Sequence, residues 1–444
     1  MKRKLITKGL LSVSPLIGIL PLAVSCSTSE INSNPSDFLP AELSKAQKQA
    51  LKTQWDNEIS IVIKSANAGF EGKIQTEFLN KLNQRFKQFK NEYSFTKDLP
   101  DVTFKIQTGV AKETNWQNIK NDNKNNDIGI IQIDRVLADF KKNETADEII
   151  ENLGAKLVAQ TETLKFTWQL GNNDDYVDGT SNDPLIKAAT KYNELAFREH
   201  GEFPSWTADT STPAGKKLGW DGSKFAVFYK RVNEPDNLFV GYRGAIYISG
   251  DKATRDKIQK AWNDKDLDAF LSFGILREGT NSNAGFKLPA KLIQKHFNKS
   301  FAEVVEILVK NKNVLEVDSP GADLGKEKGN KIYHIAFAYE GDTNWLLPEW
   351  NFYTPKNYDQ KQANNFESQT NDVVRVLSFT GASYYDTLFA RPTLHDIQIA
   401  LIAKALDSFS VAENTFGIYT GFNKIRPIAY SEFKTFIENR KLLG

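Results

Sequence analysis

The chain has 444 residues, of which 25% are charged and 40% hydrophobic, a balance that excludes a disordered or collagen-like polymer. Lys and Arg number 57 against 55 Asp and Glu, and the net charge of +2 gives no overall reason to expect nucleic acid as a partner. A single cysteine rules out an intramolecular disulfide.

Lys2, Arg3, Lys4 and Lys8 precede an apolar run from Leu10 to Val24, which Pro15 and Pro21 interrupt. The run is too short for a comfortable membrane span and reads as a secretory signal over residues 1–25. Ala23, Val24 and Ser25 lead into Cys26, a pattern like a bacterial lipobox, whose cysteine thiol takes a diacylglycerol. The only cysteine of the chain stands at that spot, which favours lipidation at Cys26 over a plain signal or an uncleaved anchor. Cleavage there leaves 53 basic and 55 acidic side chains on the mature body. The expected location is the outer face of the cell membrane. Residues 26–54 are rich in Ser, Asn and Pro and then polar and helix-prone, and read as a flexible tether.

The body opens with a β-branched strand at Ile59–Lys64. A helix follows, with Phe78, Leu79, Leu82, Phe86 and Phe89 on its apolar face. Val102–Ile106 and Ile128–Ile133 read as further strands, with a helix near 144–153 and a strand within Leu157–Leu170. Residues 171–223 are rich in Gly, Asn, Asp, Ser and Thr. They hold one helix, which starts at Asp183-Pro184, a cap followed by proline at the first helical position. This stretch reads as an insertion on the first lobe. Tyr242–Ser249 is the next strand, followed by helices over 252–262 and 265–272 and a short strand at Phe273–Leu276. A loop at Gly279–Gly285 leads into a helix from Pro289 to about Lys310. Strands at His334–Ala338 and Val373–Phe379 and helices over 394–407 and 431–440 complete the chain.

Strands alternating with helices predict an α/β protein with parallel sheets. The order predicts two lobes, one from 55–241 plus 371–444 and one from 242–370. They would be joined by a hinge and would close over a ligand in an interlobe cleft, a bilobal architecture like that of type II periplasmic binding proteins.

Gly279–Gly285 is the best anion candidate. Thr280, Asn281, Ser282 and Asn283 offer short polar groups at a helix start, where backbone N–H groups attract anions. The loop lacks the lysine of a P-loop, and an ordinary polar cap is the plainer reading. Asp178 and Asp183 form a second polar turn that fails the calcium-loop spacing; there Asp183 reads better as a helix cap than as a metal ligand. Trp206, beside Ser205, and Trp220 lie in loops and could stack on a flat heterocycle, whereas Trp55, Trp168 and Trp262 sit in core patterns. Tyr242 and Arg243 stand at the expected crossover. Arg243 could pair with phosphate or make an interlobe salt bridge.

Hydrolytic chemistry has no support in the sequence. The body has no cysteine nucleophile, and His200, His296, His334 and His395 show no metal-pair spacing. No residue is assigned to catalysis or to a metal.

The segments Tyr176–Thr180, Asp183–Leu185, Ser205–Thr207, Tyr242–Gly244, Lys260–Asp266, Phe273–Leu276, His296-Phe297 and His334–Phe337 carry a resemblance. The chain resembles the mollicute high-affinity transport system lipoproteins, which include an extracellular thiamine-pyrophosphate-binding member. More distantly, 242–291 and 373–404 look like phosphonate-type binding proteins of ABC transporters. In those proteins a Ser-Thr-Ser-Gly loop grips the phosphonate, and a tyrosine at the crossover faces the ligand. Ser282 and Gly285 agree with that loop, Asn283 and Ala284 depart from it, and Tyr242 falls at the tyrosine.

The resemblance implies a monomeric binding lipoprotein, without cofactor, that delivers thiamine pyrophosphate or a related phosphorylated molecule to an ABC permease and its ATPase. A divalent ion beside the phosphates is compatible with it. On this reading Thr280–Gly285 and Arg243 hold the diphosphate. Trp206, Trp220 or Tyr242 faces the pyrimidine, and Asp178 sits by the thiazolium. The competing expectations are phosphonate, phosphate or nucleotide as cargo, or a surface adhesin.

Overall fold

A computed structural model describes residues 39–64, 66, 70–171, 174–200, 237–342 and 355–441. The first strands are β1 (Glu58–Val62), β2 (Thr103–Gln107), β3 (Ile128–Ile131), β4 (Lys156–Leu164), β5 (Leu238–Phe239) and β6 (Gly241–Gly250). They are followed by β7 (Ile275–Arg277), β8 (Val314–Glu316), the small pair β9 (Glu327–Lys328) and β10 (Lys331–Ile332), and β11 (Ile335–Tyr339). The last are β12 (Val373–Tyr384), β13 (Thr387–Ala390) and β14 (Lys424–Arg426).

Among the described residues one sheet runs β14-β4-β13-β3-β1-β2 with β5 on β4, and a second runs β12-β6-β11-β7-β8. Both are mixed. β1 pairs parallel to β2 and β3, but β13 is antiparallel to β3 and β4. In the second sheet β7 is parallel to β8 and β11, while β6 is antiparallel to β11 and β12. The expected all-parallel sheets are thus interrupted where the connecting strands enter from the other lobe.

The helices are amphipathic in the way the periodicity predicts. In α1 (Lys45–Gln54) only Leu51 is buried, whereas α2 (Gly72–Asn91) buries Phe78, Leu82 and Phe86 one turn apart. Then come α3 (Lys112–Lys120), α4 (Ile133–Leu137), α5 (Ala146–Glu151) and α6 (Pro184–His200). The second lobe adds α7 (Lys252–Asn263), α8 (Leu267–Ser272), α9 (Leu288–His296), α10 (Phe301–Lys310) and α11 (Pro320–Asp323). α12 (Asp396–Asp407), α13 (Thr415–Thr420) and α14 (Tyr430–Lys441) return to the first. Each sheet has an apolar cluster on both faces. Ile61, Phe86 and Leu401 lie on one side of the first sheet and Trp116, Ile131 and Phe433 on the other. Trp168, Tyr247 and Phe379 lie on one side of the second sheet and Trp262, Phe270 and Phe337 on the other.

Several boundaries differ from expectation. The described end of the 26–54 stretch is ordered as a helix rather than a tether, because Ser44 and Gln47 form a capping box that starts α1, and Leu51 is fully buried. The strand expected within 157–170 ends at Leu164, where the chain leaves the first sheet. The single helix expected over 289–310 is two: Asn298 takes φ 51°, and Ser300 with Glu303 forms a new capping box. The described part of the 171–223 stretch packs on the second sheet rather than the first, since Ala189, Tyr192 and Leu195 of α6 join Tyr247, Val376 and Phe379. The return to the first lobe comes at Tyr385-Asp386 rather than at 371, because β12 stays paired to β6 as far as Tyr384.

Two strands therefore pass between the sheets. One runs from β5 to β6 through Val240, the other from β12 to β13 through Tyr385 and Asp386, and the Tyr385 N–H donates to the Val240 carbonyl at 3.0 Å.

Candidate ligand-binding site

In an α/β sheet the carboxyl ends of parallel strands open onto the ligand crevice. Gln132 directly follows β3, and its Nε2 donates to the Tyr242 hydroxyl at 2.7 Å. Tyr242 is the second residue of β6, so this bond joins the first sheet to the second lobe. Lys112, the first residue of α3, donates to Gln132 Oε1 at 2.7 Å and fixes that amide's orientation. From the second lobe Asn283 Nδ2 donates to the same Tyr242 hydroxyl at 3.1 Å and also to Asp134 Oδ2. Arg440 of α14 donates to Asp134 Oδ1. Lys112, Gln132, Tyr242, Asn283, Asp134 and Arg440 thus form one unbroken network across the seam between the lobes.

The Gly279–Gly285 loop lies in this seam. Ser282 Oγ accepts the Gly285 N–H at 3.1 Å, the capping bond that its position predicts. The first turn, Asn283–Lys287, is π-helical and closes with Lys287 N–H to Ser282 O at 3.0 Å before running into α9. Such wide turns recur at functional sites. At Gly285 a Cβ would lie 2.6 Å from Glu278 Cδ, so a larger residue there would displace the Glu278 side chain. Thr280 and Asn281 are exposed at the tip, Ser282 is half-buried and Asn283 is buried.

The seam carries both signs of charge. Burial pushes the Tyr242 and Tyr385 hydroxyls up, and the carboxylate of Asp386 adds to the effect on both. Their rings lie 5.2 Å apart. Burial also raises the Asp386 carboxyl, against the opposing pull of Lys112 and Lys64. Asp342, just beyond β11, is pushed up to about 7 by burial and by Glu278. Burial lowers Lys287, whose charge feels Asp134 and Arg440 of the facing lobe. Among the described residues no group of three or more His, Cys, Asp or Glu could hold a metal ion.

Three expectations about individual residues are corrected by their placement. Arg243 alternates to the opposite face from Tyr242 and is only 2% exposed. Its guanidinium donates to the carbonyls of Asp174 (2.6 Å), Thr380 (3.0 Å) and Gly171 (3.3 Å), so it ties the chain at Gly171 and Asp174 to β12 instead of meeting phosphate. Asp178 is exposed, and its carboxylate accepts from Thr180 N and Oγ1 at 2.8 and 2.9 Å. It lies by His296, at the far end of α9 from the seam, about 13 Å along that helix at 1.5 Å per residue. Asn283 has both amide hydrogens engaged, so it has none left for a phosphate. Asp183 does cap α6: Oδ1 accepts Leu185 N–H at 2.9 Å, and Oδ2 gathers the N–H groups of Val177, Asp178 and Gly179. Cys26, Ser205, Trp206 and Trp220 lie outside the described residues.

Sequence reasoning passed over Gln132, Asp134, Lys287, Asp386 and Arg440. A signal existed for the first two, which immediately follow a β-branched run at the carboxyl end of a parallel strand.

The model of one protein family, described as extracytoplasmic thiamine-binding lipoprotein, matches residues 76–440. The high affinity transport system protein p37 of Mesomycoplasma hyorhinis is 27% identical over 431 residues, 95% of each chain. The p37 protein of Mycoplasma pneumoniae is 26% identical over 302 residues, covering 66% of this chain and 73% of its own. A solved structure of Mycoplasma hyorhinis Mh-p37, described as a candidate thiamine pyrophosphate transporter, superposes with a TM-score of 0.64 at 24% identity over 88% of this chain and 99% of that one. That superposition carries the expected binding-protein fold. The sequence match covers both lobes and every described residue of the seam network, and on it the chain belongs to the family of extracytoplasmic thiamine-binding lipoproteins, as a substrate-binding protein.

Proposed function

We propose that this chain binds thiamine pyrophosphate in the interlobe seam and delivers it to an ABC permease driven by its ATPase. It does so as a monomer held at the outer membrane face by lipid on Cys26, and it binds its cargo without turning it over. The observation that carries this reading is the convergence of a helix start, lysines and a tyrosine pair on one seam. A diphosphate needs N–H donors and cations. The opening turn of the helix leaves the backbone N–H groups of Asn283 and Ala284 without intrahelical partners, and Lys287 stands one turn on. A pyrimidine needs a flat face, which Tyr242 and Tyr385 supply. A cationic ring is favoured by carboxylates, and Asp134 and Asp386 flank Tyr242.

Calorimetry on the mature protein is expected to show tight binding of thiamine pyrophosphate. Lys287→Gln should weaken it at least about tenfold, the worth of one charge-assisted contact. A ligand that binds only the folded state also raises the melting temperature with its concentration. A panel of thiamine pyrophosphate, thiamine, phosphonate, phosphate and ATP then ranks the cargoes. If no thiamine phosphate bound, the ligand assignment would be wrong. Full affinity in Lys287→Gln would move the diphosphate away from this helix.

A further inference from the structure

The Asn283 side chain is 8% exposed, and its Oδ1 has no hydrogen-bond partner. Its amide orientation is fixed by chemistry, because the Asp134 carboxylate can only accept and must face the NH2 group. The Tyr242 hydroxyl takes the other amide hydrogen and already accepts from Gln132. The carbonyl oxygen hangs on the same carbon as the bonded nitrogen, so it lies in the same seam with its lone pairs unused. A buried acceptor left unpaired costs about 1–3 kcal/mol, so such a group in a binding site calls for a donor.

The surroundings say what kind of donor. Asp134 and Asp386 stand by the Tyr242 hydroxyl, and Asp134 is itself held by Arg440, so the cations of this corner are already engaged while the Asn283 oxygen is not. A phosphate oxygen set against Oδ1 itself, rather than against the backbone N–H groups of the turn, would find an acceptor and no donor. An N–H group would meet an acceptor beside carboxylates and an aromatic face.

We propose that Asn283 Oδ1 is the specificity-determining acceptor for an exocyclic amino group on the ligand's heteroaromatic ring, which seats the aminopyrimidine end against Tyr242. This rests on the thiamine pyrophosphate reading above and fixes the direction of the ligand in the seam. The departure of Asn283 from the phosphonate-loop pattern then has a physical sense. The amide spends both hydrogens on holding the lobes and leaves its buried oxygen without a donor for the cargo to supply.

The test compares two probes, thiamine pyrophosphate and its analogue with the ring amino group replaced by oxygen. In the analogue a carbonyl oxygen would face Oδ1. Wild-type protein is expected to prefer the amino form by at least about tenfold, since unpaired buried polar groups discriminate strongly. Asn283→Ala should shrink the preference to under about threefold, by removing the acceptor whose loss this penalty measures. Asp134→Asn gives a second arm that leaves Asn283 in place. With its oxygen kept by Arg440, the new NH2 group faces the Asn283 amide, which must turn its oxygen inward to accept, and the preference should fall there too. Equal affinity of wild-type protein for both probes would overturn the proposal and assign the orphan oxygen to an ordered water. A preference that survived in both variants would overturn it as well. Binding of neither probe would instead bring down the thiamine pyrophosphate reading, and this inference with it.

Discussion

Replacing Arg391 with methionine is expected to cost about 3–5 kcal/mol of folding stability, the usual penalty for stripping a buried charge of its partner. The guanidinium is 4% exposed and binds three carboxylates: Asp127 through Nε at 2.7 Å, Asp56 through Nη2 at 2.8 Å and Asp122 through Nη1 at 3.3 Å. Asp127 is completely buried, and its Oδ2 also accepts Ser60 N–H and Oγ–H at 2.9 Å each. Burial already raises the Asp127 carboxyl despite Arg391, so removing the cation leaves the anion untenable. The sign of the pH dependence follows. Protonated Asp127 needs no counter-ion, so the deficit of the variant should narrow as the medium is acidified. Asp127→Asn combined with Arg391→Met should recover part of the loss, which urea denaturation of the two single variants and the double variant would measure. These residues lie at the ends of β1, β3 and β13 remote from the seam, so ligand affinity below the melting range should persist. A loss under about 1 kcal/mol would mean that the cluster behaves as an exposed pair.

Stability should also fall as pH drops from about 6.5 toward 4, and His296 accounts for a defined part of that fall. The ring is 1% exposed and stacks on Trp262 with centroids 3.7 Å apart. Its Nε2 is 2.7 Å from the Trp262 carbonyl and its Nδ1 is 3.1 Å from the Tyr176 hydroxyl. Burial pushes the imidazole down to about 4, although the Trp262 carbonyl favours its charged form. The unfolded chain takes the proton near 6.5, so between the two values the unfolded state binds more protons and gains. The contribution is whole above 6.5 and is spent near pH 4, a span worth about 3 kcal/mol. His296→Gln loses the stacking contact at every pH but should flatten the slope across this window. His334 and His395 are lowered by burial too, so the informative quantity is the difference in slope between wild type and variant. Identical slopes would refute the assignment to His296.

The elements could be read from the sequence because their signals are local. Phe78, Leu82 and Phe86 repeat at one helical turn, Asp183-Pro184 announces a helix start, and Ile128–Ile131 is too apolar for anything but a buried strand. The helix break at 297–300 carries a local sign, the Ser300-x-x-Glu303 capping box, but the amphipathic pattern continues across it and outweighs that sign in a reading by periodicity. Lobe membership was harder. β12 reads as a short run of seven, but it extends past Ser383 beside β6, and pairing between strands far apart in sequence leaves no local trace. The seam was half legible. Tyr242, Ser282 and Asn283 could be picked from a polar loop and a crossover. Asp134 and Arg440 meet there from opposite ends of the first lobe's chain, and no spacing rule connects them. Arg243 misled for an elementary reason. Neighbouring residues on a strand face opposite sides, so only one of the Tyr242–Arg243 pair could reach the seam.

The two straps between the sheets, through Val240 and through Tyr385-Asp386, share a rung where Tyr385 N–H meets the Val240 carbonyl. Straps tied together at the fold line act like a door on a single pin: swinging is easy, while sliding and twisting are resisted. Loading and unloading then follow one coordinate. Motion confined in this way would bring the inner faces of the two halves together along a single path.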